Sequence, residues 1–82
     1  MDDNRVAIVA IVIEDRDKAS KLNDLLSEYG EHIIGRMGLP YEKKDISLIS
    51  VAVDAPQDVI NTMSGKIGNI PGITAKAVYS KV

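Results

Sequence analysis

Few side chains in this sequence could do chemistry, and Arg36 is the most suggestive of them. It stands in the run Gly35-Arg36-Met37-Gly38. Flanking glycines leave main chain exposed, and the planar guanidinium offers a fork of donors to a carboxylate or another anion. The plainer alternative is an arginine solvated on an edge strand. Lys66 would add a second positive charge, or is an ordinary lysine on a helix surface. Gly65-Lys66 resembles the tail of a phosphate-cradling loop, but Ile60 occupies the place of that motif's first glycine. Ile67 also follows the lysine where Ser or Thr is required. His32 is the sole histidine and cysteine is absent, so no metal-ligand set is apparent. The pairs Asp15/Asp17 and Glu28/Glu31 sit at helix ends, where such residues are expected, and only the first pair is at the end that the helix dipole favours for carboxylates. The serines have no evident base partner and read as caps or surface positions. No catalytic constellation emerges, and the chain reads as a non-enzyme without cofactor or metal.

The elements that must position these residues follow from hydrophobic periodicity. Residues 5–13, RVAIVAIVI, form a continuous β-branched run, expected as a strand buried on both faces. Asp15 is a plausible N-cap, with Asp17 at the positive end of the helix dipole. Ala19, Leu22, Leu25, Leu26 and Tyr29 then make an amphipathic stripe, which Gly30 closes at C′. Residues 31–40 have strand character interrupted by Gly35 and Gly38, suggesting a bulge or a close backbone approach, with Pro40 as the stop. YEKKD is a polar turn, and 46–53 is another strand. Asp54 is a possible cap for a second helix, with Pro56 in its first turn. Val59, Ile60, Met63 and Ile67 form that helix's stripe, and Gly68 is its expected C-cap. Gly65 inside it suggests that the helix approaches the sheet or a neighbour closely. Pro71-Gly72 turns the chain into an alternating strand over 73–80.

The order β-α-β-β-α-β is the ferredoxin-like pattern of the α+β class. It implies a four-stranded antiparallel sheet with both helices on one face and the first and third strands central. The 82 residues suffice for one domain, 1–82, of marginal stability on its own. With neither Trp nor Phe, the core must be aliphatic. The start MDDNR does not resemble a signal peptide, and the longest apolar run, Val6 to Ile13, is too short to span a bilayer. A cytoplasmic protein with no membrane partner is expected. The net charge of −2 argues against direct nucleic-acid binding.

The face of the sheet opposite the helices is the anomaly. The first strand offers Val6, Ile8, Ala10 and Val12 on one side and Ala7, Val9, Ile11 and Ile13 on the other. The third gives Ile46, Leu48 and Ala52 against Ile49, Val51 and Val53. Monomers rarely expose such a patch, so burial in a homodimer or homotetramer is expected.

Three segments together resemble a known family: Glu14-Asp15-Arg16, Arg36-x-Gly38-x-Pro40 and Ser64-Gly65-Lys66-x-Gly68. They are similar to small proteins linked to the iron-only hydrogenase system as regulators, a role inferred from the hydrogenase-assembly genes they accompany. The resemblance covers nearly the whole chain. It implies a stand-alone ACT-like domain, similar to the C-terminal domain of the nickel-responsive repressor. The sequence departs from both relatives in informative ways. Amino-acid-binding ACT domains carry Pro-Gly after the first strand, where this chain has Asp15-Arg16-Asp17-Lys18. The nickel repressor uses several histidines and a cysteine, where this chain has His32 alone. The expectation is an oligomeric regulatory module sensing a small-molecule effector at a subunit interface, through Asp15, Arg16, Arg36, Gly38 and Lys66. The alternative is a scaffold that docks a hydrogenase-system protein and binds no small molecule.

Overall fold

The computed structural model describes residues 3–81, so the first two residues of MDDNR lie outside it. The chain runs β1 (Asn4–Ile13), α1 (Ala19–Glu28), β2 (Ile33–Tyr41), β3 (Ile46–Pro56), α2 (Gln57–Gly68) and β4 (Ile73–Tyr79). Short 3₁₀ turns at Arg16–Lys18, Gly30–His32 and Glu42–Lys44 join them. The sheet order is β2-β3-β1-β4 with every pairing antiparallel, which puts β1 and β3 at the centre. This is the ferredoxin-like βαββαβ arrangement anticipated from the periodicity.

Alternation along the strands decides what is buried. Ala7, Val9, Ile11 and Ile13 of β1 and Val51, Val53 and Ala55 of β3 turn to the helices and are almost wholly buried. Leu22 and Leu26 of α1 and Ile60, Met63 and Ile67 of α2 close over them, so the helices share one face and the core is aliphatic.

Several boundaries differ from expectation. Asp15 does cap, but it caps the 3₁₀ turn, its carboxylate accepting from the Asp17 N–H at 3.1 Å, and α1 begins at Ala19. Asp54 caps nothing: β3 continues through it to Pro56, and Pro56 itself occupies the N-cap of α2. The pairing of Arg5 with Ala55 and Asn4 with Pro56 is what carries the strand past Asp54. Pro40 does not stop β2, because an edge strand tolerates a residue without an N–H, and Pro40 pairs with Ser47. The expected bulge is present, as a register shift between Ile33 and Gly35. Gly68 is the last residue of α2, with Asn69 as a right-handed cap. Gly65 meets no close neighbour: nothing lies within 4 Å of where a Cβ would sit.

Gly72 is the glycine the fold requires. Its φ is +82°, and an added Cβ would lie 2.6 Å from the Cβ of Asp15. Its carbonyl accepts from the N–H groups of Glu14 at 2.7 Å and Asp15 at 3.3 Å. The turn before β4 is thereby latched to the end of β1.

Candidate functional site

The residues singled out in the sequence are distributed over the helix-side surface rather than gathered in one pocket. Arg16 leaves the 3₁₀ turn after β1 and pairs with Asp45 at 3.2 Å. Asp45 closes the β2–β3 connection with a left-handed backbone (φ 54°), a conformation that Asp adopts more readily than most residues. Arg16 thus ties the β1–α1 loop to the β2–β3 turn. Both partners are well exposed, so the pair contributes little stability.

Arg36 pairs with Val51 across the β2–β3 ladder, and its side chain therefore lies on the helix side. There it donates to the Asn23 side-chain oxygen of α1 at 3.0 Å. Gly38 follows on the same side, where an added Cβ would lie 3.8 Å from Ile49 Cγ1. Lys66 stands on α2, its ammonium 5.7 Å from the centre of the Tyr29 ring, beside a hollow rimmed by Lys21, Asp24 and Glu28. Asp15 is committed to its turn. Each of the three cations, Arg16, Arg36 and Lys66, already has a partner within the chain. His32 lies 3.6 Å from Glu31, and among the described residues no cluster of His, Asp or Glu could hold a metal.

The open face of the sheet is where unsatisfied surface concentrates. Its side chains form rungs across the four strands. One rung reads Val78, Ile8, Ala52, Gly35. The next reads Lys76, Ala10, Ser50, Met37, and the one beyond it Thr74, Val12, Leu48, Leu39. Tyr41 and Ile46 form a shorter rung beyond it, and Val6 and Asp54 one at the opposite end. Large apolar side chains protrude at two places, with small residues between them. Val78 is 60% and Ile8 50% exposed on one flank, and Met37 is 74% and Leu39 61% exposed on the other. Gly35, Ala52 and Ser50 floor a hollow between Ile8 and Met37, which continues past Ser50 toward Leu39 and Leu48.

The contribution of β2 to this face lies in its alternation, which the interrupting glycines mask in the sequence. Met37, Leu39 and Tyr41 recur at every second position, the period of a strand face, and that signal was available. Asn23 and Asp45, the partners of Arg36 and Arg16, had no local signal. They lie 13 and 29 positions away from the residues they bind.

Among the described residues no helix is long and apolar enough to cross a membrane. Curated proteins yield no match to the chain. Solved structures do. The uncharacterized protein TM1266 from Thermotoga maritima superposes with a TM-score of 0.90 at 37% identity, over 95% of this chain and 99% of that one. The apo form of CPII from Thiomonas intermedia K12, a nitrogen regulatory PII-like protein, gives a TM-score of 0.54 at 13% identity, over 93% of this chain and 91% of that one. At that identity the second likeness concerns the fold alone. A family model described as "Iron-only hydrogenase system regulator, putative" matches residues 5–77, and with the likeness to TM1266 it shows that this chain belongs to the TM1266-like family.

Proposed function

We propose that this chain is a cytoplasmic regulatory module of the iron-only hydrogenase system, ACT-like, homo-oligomeric, and acting by binding rather than by catalysis. The observation that carries the reading is the open sheet face, where Ile8, Met37, Leu39, Leu48 and Val78 stand exposed together. A contiguous apolar surface of this kind marks an association site. Oligomerisation is also a common route to stability for a domain that buries so little surface alone.

In this reading the effector is a small anionic molecule held on the helix side of the sheet, opposite the face through which copies associate. Arg36 and Gly38 on the edge strand would contribute, with Asp15 and Arg16 at the end of β1 and Lys66 on α2. The effector's anionic group would compete with Asn23 and Asp45 for the two guanidinium groups, which couples occupancy to the loops those residues tether. A second reading, docking of a hydrogenase-system protein with no small-molecule ligand, is favoured by the intrachain partners that Arg16, Arg36 and Lys66 already hold.

Two measurements test the proposal. Light scattering is expected to give at least twice the chain mass, and Ile8→Asp is expected to yield a folded monomer. A wild-type monomer at all concentrations would remove the oligomeric reading. A thermal-shift screen with amino acids, nucleotides and divalent cations then separates sensing from docking. A ligand at a hundred times its Kd adds about 2.7 kcal/mol, and each kcal/mol moves Tm by roughly 4–8 °C in a domain this small. A hit lost in Arg36→Ala places the site, a hit retained there moves it elsewhere, and a flat screen favours docking.

A further inference from the structure

Resting on the oligomeric reading above, we infer that the open face is covered by the same face of a second copy, related by a twofold axis that runs along the strands between β1 and β3. The pattern of large and small residues on the rungs carries this. Such an axis exchanges β4 with β2 and β1 with β3, keeping each rung over itself. Val78 and Ile8 of one copy then sit over Gly35 and Ala52 of the other, so the protruding flank enters the hollow. On the next rung Met37 lies over Lys76, whose aliphatic stem can cover a thioether while its ammonium reaches the rim. Ser50 and Ala10, both small, meet at the centre.

The other face-to-face twofold axis, perpendicular to the strands, is disfavoured by the same rung. It would put Lys76 over Lys76, a like-charge contact, and Met37, the most exposed large apolar side chain of the face, over itself. The size of the face fits a dimer. Strands about 4.8 Å apart and rungs about 7 Å apart, three of four residues and one of two at each end, give a projected area of roughly 500 Å² per copy. The two copies together reach about 1,000 Å², the scale at which specific interfaces begin. Packed sheets rotate by about 30°, so the registry is tightest near the axis, where Ile8, Ala10, Ser50 and Ala52 lie.

The chain has no cysteine, so introduced cysteines report without background. Met37 and Lys76 are exposed, and replacing either leaves the core untouched. Within one chain the two positions are three strands apart, about 14 Å, whereas facing sheets are about 10 Å apart. Met37→Cys and Lys76→Cys chains are mixed, allowed to exchange, and treated with a short bismaleimide. The expected result is a covalent dimer in the mixture about tenfold stronger than in either variant alone, as proximity at the interface dictates. Efficient linking of Lys76→Cys to itself would overturn this axis in favour of the perpendicular one. An oligomer by light scattering with no link in the mixture would place the interface elsewhere while leaving oligomerisation intact. A monomer would overturn both.

Discussion

Gly72 shows how much a single residue can hold. Its positive φ is one that an alanine adopts only at a cost of about 1–2 kcal/mol, and the added methyl would collide with Asp15. Gly72→Ala is therefore expected to lose at least about 2 kcal/mol in urea denaturation, from strain and clash together. Gly65 predicts the opposite sign. It lies exposed within α2 with open space around it, so Gly65→Ala should gain roughly 0.5–1 kcal/mol by helix propensity alone. The same assay run on both variants separates a glycine demanded by backbone geometry from one that is not. An unchanged Gly72→Ala would mean that the turn can move away from Asp15, and a destabilised Gly65→Ala would reveal a neighbour at that spot, such as another copy.

Among the elements, β3 is the instructive case. Asp54 looked like a helix cap because it precedes Pro56 and an amphipathic stripe, and such a cap is worth about 1 kcal/mol. In the fold it lies on β3, opposite Val6 and exposed. Asp54→Thr is thus expected to leave stability within about 0.5 kcal/mol of wild type, or to raise it, since threonine suits a strand better than aspartate. A loss near 1 kcal/mol would restore the capping role. The contrast marks what the sequence could reveal. Period-2 and period-3.6 apolar patterns identified all six elements, their order and the two-sided apolar character of β1. Cap chemistry is ambiguous beside a strand, because Asp and Pro serve both a helix start and the end of an edge or central strand. The hydrogen bond from Arg36 to Asn23 and the ion pair from Arg16 to Asp45 were not legible, since each needs the tertiary fold to bring its partners together.

At the scale of the molecule, the apolar inventory is small and divided between two faces. The helices cover one face of the sheet, and the other leaves large apolar side chains exposed. If association buries them, thermal stability becomes concentration-dependent, and a tenfold dilution should lower Tm by about 3–6 °C. A Tm independent of concentration over several decades would count against a functional oligomer. The sheet order carries one more consequence, for biosynthesis. β1 is the first strand made and stands at the centre, yet its neighbour β4 is the last. Until residues 73–79 leave the ribosome, β1 has one bare edge and the Gly72 latch is unmade. A nascent chain at that stage presents an unpaired β-branched strand, apolar on both sides, which is the configuration most prone to pairing with the wrong chain. Chains stalled before Gly72 should therefore depend on chaperones far more than chains released after Tyr79.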